Sequence, residues 1–234
     1  MAQRQPASTD QGLLVRVELG PATDGRSRSE QRGRSATRHT AIIQAATTLF
    51  LRNGYQGTSI DDIAATAAVS KQTVYKNFGD KEQLFGAIIL GVTATAEEFA
   101  DLLANAPEDD DVEAELRTIA RRYLGSVMRP QVLQLRRLVI AEAGRFPDLA
   151  RTYYERAPLR VLNALAAKLG RLAERGLLRI DDPSTAADHF AFLILGRPLD
   201  QAMFSAEAGS LTEAELNSVA DNGVRVFLAA YRAN

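Results

Sequence analysis

Lys71, Gln72, Thr73, Tyr75 and Lys76 crowd cationic and hydrogen-bonding side chains into one short stretch in which Val74 is the lone apolar residue. Placed on a helix at 100° steps, Val74 and Phe78 share one side and turn inward. Gln72, Thr73, Tyr75 and Lys76 fall on the opposite side or its flanks. Lys71 projects nearer the apolar side, but in a first turn its long stem can swing outward. The chemistry on this face matches the edge of a base pair: Gln can bond adenine twice, Lys can bond guanine, and Thr can touch a thymine methyl or a phosphate. Tyr75 and Lys76, further along, suit phosphate oxygens. A small helical unit that leaves such a face unpacked points to the major groove of DNA.

The flanking residues read as the elements that hold this face in place. Ile42, Ala46, Leu49 and Phe50 recur at helical spacing and form one apolar stripe. Asn53-Gly54 supplies a stop, because glycine enters the left-handed region without steric cost. Thr58 and Ser59 are candidate N-caps and candidate phosphate contacts. Asp62, three residues after Ser59, completes the pattern of a capping box. Ile60, Ile63, Ala64 and Ala67 make the stripe of the second helix. Ala68-Val69 forms the turn, and Ser70 caps the third helix. In a helix-turn-helix the second helix of the pair enters the groove with its N-terminal residues on base edges. Asp80 caps a fourth helix with Gln83 three residues on. Lys81 at its start can share one phosphate with the helix amides.

Two runs within this stretch resemble the DNA-binding domain of the TetR family of bacterial transcription regulators. They are AAxxLFxxxGYxxTSxxxIA, from Ala45 to Ala64, and VSKxTVYxxFxxKExLF, from Val69 to Phe85. The resemblance implies that Thr58, Ser59, Ser70, Lys71, Gln72, Thr73, Tyr75, Lys76, Asn77 and Lys81 face DNA. Three positions depart from the family pattern. Ala68 stands where the family places Gly in the turn, a cost of up to about 1 kcal/mol if that site needs positive φ. Asn77 replaces a frequent His, which weakens the case for a phosphate contact there. Gln72 replaces a frequent Gly and adds a side chain able to read a base.

Composition narrows the alternatives. The chain has 234 residues, 46% hydrophobic, with no cysteine and two histidines. Thiolate metal sites and cysteine nucleophiles are therefore excluded. No P-loop, dinucleotide glycine fingerprint or GxSxG elbow occurs. The acidic run Glu108 to Asp111 points its side chains in different directions and reads as a solvated loop. These observations argue against an enzyme and against a cofactor or a metal. No apolar run approaches a membrane span, and no apolar signal core opens the chain, so a cytoplasmic protein is expected. Net charge is −1, but its distribution is uneven. Residues 25–85 carry nine Lys or Arg against five acids, and residues 86–234 carry seventeen against twenty-one. A basic end and an acidic remainder place phosphate at one end only.

The expected fold class is all-α with about nine helices. The expected organisation is a disordered basic tail over 1–34, a three-helix helix-turn-helix domain over 35–82, and a helical ligand-binding and dimerisation bundle over 83–234. The tail holds Arg26, Arg28, Arg32 and Arg34, an arm that could add phosphate or minor-groove contacts. The fourth helix is expected to run unbroken from Lys81 to about Ala104. Later helices are expected at 130–143, 148–175 (kinked or split by Pro158), 183–195 and 211–232. The last of these is expected to be capped by Ser210 with Glu213. The run AEAGRFPDLARTYYERAP, Ala141 to Pro158, resembles one TetR subgroup.

In the bundle, HFAFLILG (His189 to Gly196) is apolar on nearly every side and needs cover all round. Phe190, Ile194 and Gly196 with Val224, Phe227, Leu228 and Tyr231 are the expected homodimer interface. Two-fold symmetry would set two recognition helices on a near-palindromic double-stranded operator, about 34–36 Å apart. Phe99, Arg122, Tyr123, Tyr153, Tyr154, His189 and Phe192 are the candidates for an effector pocket, although a core or surface role competes at each. The family resemblance implies a repressor released from its operator by a small molecule. A helical DNA-binding protein without an inducer is the rival reading.

Overall fold

The computed structural model describes residues 26–105, 111–205 and 211–233. Its contacts part the chain into Met1–Thr37 and Arg38–Asn234, each described by itself. From the first unit comes the opening of α1 (Arg26–Asn53), whose early residues are polar. The helix begins inside the stretch expected to be a disordered tail. Arg, Gln and Glu propagate a helix well, and Gly33 in the interior costs about 1 kcal/mol, too little to stop it. Residues 1–25 of the expected tail lie outside the described residues.

The second unit contains the rest of α1, then α2 (Ile60–Thr66), α3 (Lys71–Phe78), α4 (Lys81–Val92), α5 (Ala94–Asn105), α6 (Val112–Val127), α7 (Pro130–Glu142), α8 (Pro147–Tyr154), a π-helical turn over Glu155–Leu159, α9 (Arg160–Glu174), α10 (Pro183–Phe204) and α11 (Glu213–Tyr231). Two of these rods are interrupted helices, α4 with α5 and α8 with α9. Counted as single rods, they bring the described helices to nine. No strand occurs among the described residues, only an isolated bridge between Leu178 and Arg232. The protein is all-α, and no described helix is long and apolar enough to cross a membrane.

Several boundaries differ from expectation for local reasons. The expected long fourth helix breaks at Thr93, which is buried and donates its hydroxyl to the Leu90 carbonyl at 2.8 Å. Such a bond competes with the helix ladder and bends it. Pro158 sits in the π turn, where the wider backbone absorbs its missing N–H. α10 continues through Pro198 to Phe204, well past Leu195. The last helix is capped by Thr212 with Glu215, two residues later than expected. Ser210 and the carboxylates at 108–110 lie outside the described residues.

Two hydrophobic cores organise the second unit. One gathers Ile42, Ala46, Phe50, Ile63, Val74, Phe78, Phe85 and Ile89 with Leu135, Leu138, Val139 and Tyr153. The head core thus reaches beyond residue 82 through α4, and α7 and α8 close it. The other is built from α5, α6, α9, α10 and α11 around Leu116, Leu124, Leu165, Phe190 and Phe227.

Candidate functional site

The helix-turn-helix is set by caps and a tight turn. Ser59 accepts from the Asp62 amide at 3.1 Å, while Asp62 accepts from the Ser59 amide at 3.2 Å, a reciprocal capping box. These bonds hold the Asp62 carboxyl below its ordinary value, the Ser59 hydroxyl first among them. At the far end of α2, Val69 N–H bonds Ala64 O at 3.0 Å and Ala68 N–H bonds Ala65 O at 3.2 Å. This is a Schellman closure, and its left-handed position is Ala68, at φ 53°. The site does require positive φ, and alanine bears the strain. Ser70 then caps α3 by accepting from the Thr73 amide at 3.1 Å.

Val74 and Phe78 are buried, and His39 of α1 lies 4.6 Å from the Phe78 ring. Packing of these residues leaves Gln72, Tyr75 and Lys76 exposed. The hydroxyl of the half-buried Thr73 lies 2.8 Å from that of Ser70. Lys71 does not swing free, since its ammonium pairs with Asp61 of α2 at 2.9 Å. Asn77 is half-buried and donates to the Thr73 carbonyl at 2.7 Å, a bond within its own helix. Thr58 corrects the expectation of a phosphate contact. It is buried, and its hydroxyl donates to Gly54 O at 2.9 Å, pinning the loop after α1.

Lys81 opens α4 with its ammonium 4.2 Å from the Tyr55 ring centre. Arg145, from the corner between α7 and α8, lies 5.2 Å from the same ring and 5.4 Å from Phe146. Burial, and then the nearby Arg145 charge, push the Lys81 ammonium below its ordinary value. Phe146 meets Tyr55 at 4.8 Å and Phe85 at 5.7 Å. Sequence reasoning missed this corner, because its partners are distant along the chain.

A second site lies in the bundle. A cavity of about 70 Å³ is lined by Phe99, Tyr123 and Tyr153, with Thr95, Ser126, Val132, Arg136, Pro158 and Val161 among its other walls. The structure thus brings together three of the seven expected pocket residues. The other four are elsewhere. Arg122 is exposed, Tyr154 and Phe192 are 52% and 71% exposed, and His189 sits 2.6 Å from the Tyr231 hydroxyl. Arg136 escaped notice because it stands beside Arg137, and such a pair looks like ordinary surface charge.

The expected dimer stripe also needs correction. Phe190, Ile194, Val224, Phe227 and Leu228 are at most 6% exposed and form the chain's own core. Tyr231 stacks on Phe227 at 4.6 Å. Gly223 admits α10 closely, since a Cβ there would lie 3.0 Å from Ile194. The small residue serves an approach within one chain. Gly196, half-buried, has open space around it. The outward face of these two helices carries Phe192, Leu193 and Val226.

The fold and the exposed face of α3 define a helix-turn-helix DNA-binding protein with an all-helical second region. Residues 42–88 match the sequence model of the tetR family of bacterial regulatory proteins, and residues 114–233 match that of the C-terminal domain of AefR-like transcriptional repressors. The chain belongs to the TetR family and is a sequence-specific DNA-binding transcription regulator. It is 37% identical to the HTH-type transcriptional repressor Rv3405c of Mycobacterium tuberculosis over 64% of this chain and 78% of that protein. A TetR-family regulator from Mesorhizobium loti shares 41% identity, with TM-score 0.76, over 86% of this chain and 99% of its own. The flavonoid-responsive regulator FrrA is 33% identical with TM-score 0.66, over 83% of this chain and 97% of its own.

Proposed function

We propose that this chain is a cytoplasmic homodimeric repressor that leaves its operator when a small molecule fills the cavity between α5, α6, α7 and the π turn. The observation that carries the DNA half is the face of α3: Gln72, Tyr75 and Lys76 exposed while Val74 and Phe78 are buried beneath them. Gln72 and Thr73 read base edges, Tyr75 and Lys76 bind phosphates, and Ser59, Ser70 and Lys81 position helix N-termini against the backbone. Lys71 reaches DNA by exchanging Asp61 for phosphate, a small loss for an exposed pair.

Dimerisation is assigned to the outward face of α10 and α11. Phe192, Leu193 and Val226 are exposed there, beside a groove of about 510 Å³ that includes Arg197 and Gln201. That groove is open and polar-edged, which suits a partner helix better than a small molecule. The response of FrrA to flavonoids supports a small-molecule effector.

Coupling between the sites follows from shared helices. α7 and α8 line the cavity through Val132, Arg136 and Tyr153, and their corner sets Phe146 and Arg145 against Tyr55 of the head. A ligand that moves these helices displaces the aromatic contact under Lys81. It shifts the equilibrium only by its difference in affinity for the two states. Gel-shift titration on the chain's own upstream DNA tests the reading. Gln72→Ala with Tyr75→Ala removes binding by about 100-fold or more, given roughly 1–3 kcal/mol per good base contact. Unchanged occupancy by a folded double variant would sink it.

A further inference from the structure

We infer that the cavity takes a planar aromatic ligand bearing a carboxylate, held at its acid end by Arg136 and against its ring by Phe99 and Tyr123. The inference rests on the reading of this cavity as the effector site and names the chemistry of its occupant.

The walls are unbalanced in a way that identifies their complement. Arg136 is half-buried, and among the described residues no carboxylate or other acceptor pairs with it. Guanidinium is charged at every relevant pH and is only a donor. Tyr123 and Tyr153 are 5% and 8% exposed, yet neither hydroxyl has a hydrogen-bond partner among the described residues. Burial pushes the Tyr123 phenol up to about 12, so it remains a donor through neutral and alkaline pH. No Asp or Glu lines the space. A cavity lined by these donors and by no acid favours an occupant that carries acceptors and negative charge.

Shape supplies the other half. The Phe99 and Tyr123 rings stack on one another, 12° from parallel with centres at 5.5 Å, and add aromatic surface to the cavity. Val132, Val161 and Pro158 add further apolar surface. The volume of about 70 Å³ is less than a whole ring needs, so entry of a ring requires the walls to part. A further ring stacked on this aromatic pair gains beyond the area it covers, which rewards a flat occupant. An aliphatic acid would satisfy Arg136 and lose the stacking. A neutral arene would stack and leave the guanidinium without an anion.

Three probes of similar size separate these terms in the full-length dimer: benzoate, benzamide and cyclohexanecarboxylate. Isothermal titration is expected to show benzoate binding about tenfold or more tighter than benzamide, since a charge-assisted pair is worth about twice a neutral hydrogen bond, and severalfold tighter than cyclohexanecarboxylate, which keeps the charge and loses the stacking. Arg136→Gln is expected to lower benzoate affinity at least tenfold while leaving benzamide within about twofold. Arg136→Lys, which retains the charge without the fork, should fall between them. Thermal melts establish that each variant is folded. Equal binding of benzoate and benzamide, or an Arg136→Gln variant that still prefers the acid, overturns the charge assignment while leaving the cavity as a site. Equal binding of cyclohexanecarboxylate overturns the planar assignment. Failure of all three to bind, with no probe in soaked crystals, overturns the cavity reading itself.

Discussion

Around Phe85 the interior is packed with aromatic rings, whereas around Lys168 it holds a buried pair of charges. The head core stacks Phe50, Tyr55, Phe85 and Phe146 with ring centres 4.8 to 5.7 Å apart, and its buried Thr58 hydroxyl is bonded locally to Gly54 O. The bundle core buries an ion pair between Lys168 of α9 and Glu115 of α6, with side chains 1% and 8% exposed. It also holds the donor-lined cavity. The head is made to present a fixed outer face, and a close-packed aromatic interior does that at little cost. The bundle carries its polar groups inside, where removing water makes each pairing more consequential.

Breaking the ion pair is the strongest test of that contrast. Lys168→Met leaves Glu115 buried without its cation and should cost about 3–5 kcal/mol in urea unfolding. Adding Glu115→Leu should restore most of it. A single variant as stable as the parent would show that water reaches the pair and that the two interiors are alike.

The next effect concerns the bundle's outer side. Phe192→Asp with Val226→Asp should weaken dimerisation about 30-fold or more by sedimentation, as expected for central apolar anchors worth about 2 kcal/mol. The protomer should keep its helical spectrum. Val224→Asp, on the buried side of α11, should unfold the protein instead. A double variant that remains dimeric places the interface elsewhere.

Strain in the head provides a smaller effect. Ala68→Gly relieves the left-handed position and should stabilise the protein by about 0.5–1 kcal/mol, part of the gain being offset by the freer unfolded chain. A loss of stability on thermal melting would show that the methyl group packs usefully in the turn.

The smallest effect is acid-dependent. The Arg121 side chain donates to Asp221 at 2.8 and 2.6 Å, tying α6 to α11, and holds the carboxyl below its ordinary value of 3.8. Folding therefore favours the ionised form. That stability is present above pH 3.8 and is lost as pH falls through the lower folded value. Asp221→Asn should lower stability slightly at neutral pH and flatten the decline below about pH 4 in denaturant titrations. A decline of unchanged steepness assigns the acid limb to other carboxylates.

The sequence alone determined what depends on neighbours within a turn or two. The capping box at Ser59 and Asp62, the cap at Ser70, the inward pair Val74 and Phe78 and the exposed Gln72 and Tyr75 are all local relations, set by a 3.6-residue period and hydrogen bonds that close within four residues. The all-helical class and most helix positions followed from the same periodicity. Tertiary structure decided which face of α10 turned inward, because a helix that is apolar all round offers no period to choose between core and partner, and it set the stripe of α11 against α10 of the same chain. It decided that the Thr58 hydroxyl is consumed by Gly54 and that Lys71 meets Asp61. It also assembled Phe99, Tyr123, Arg136 and Tyr153 from four separate helices, and set Arg145 beside Lys81 on Tyr55. Such groups are brought together by the packing of whole rods, and no spacing along the chain encodes the angle at which two rods cross.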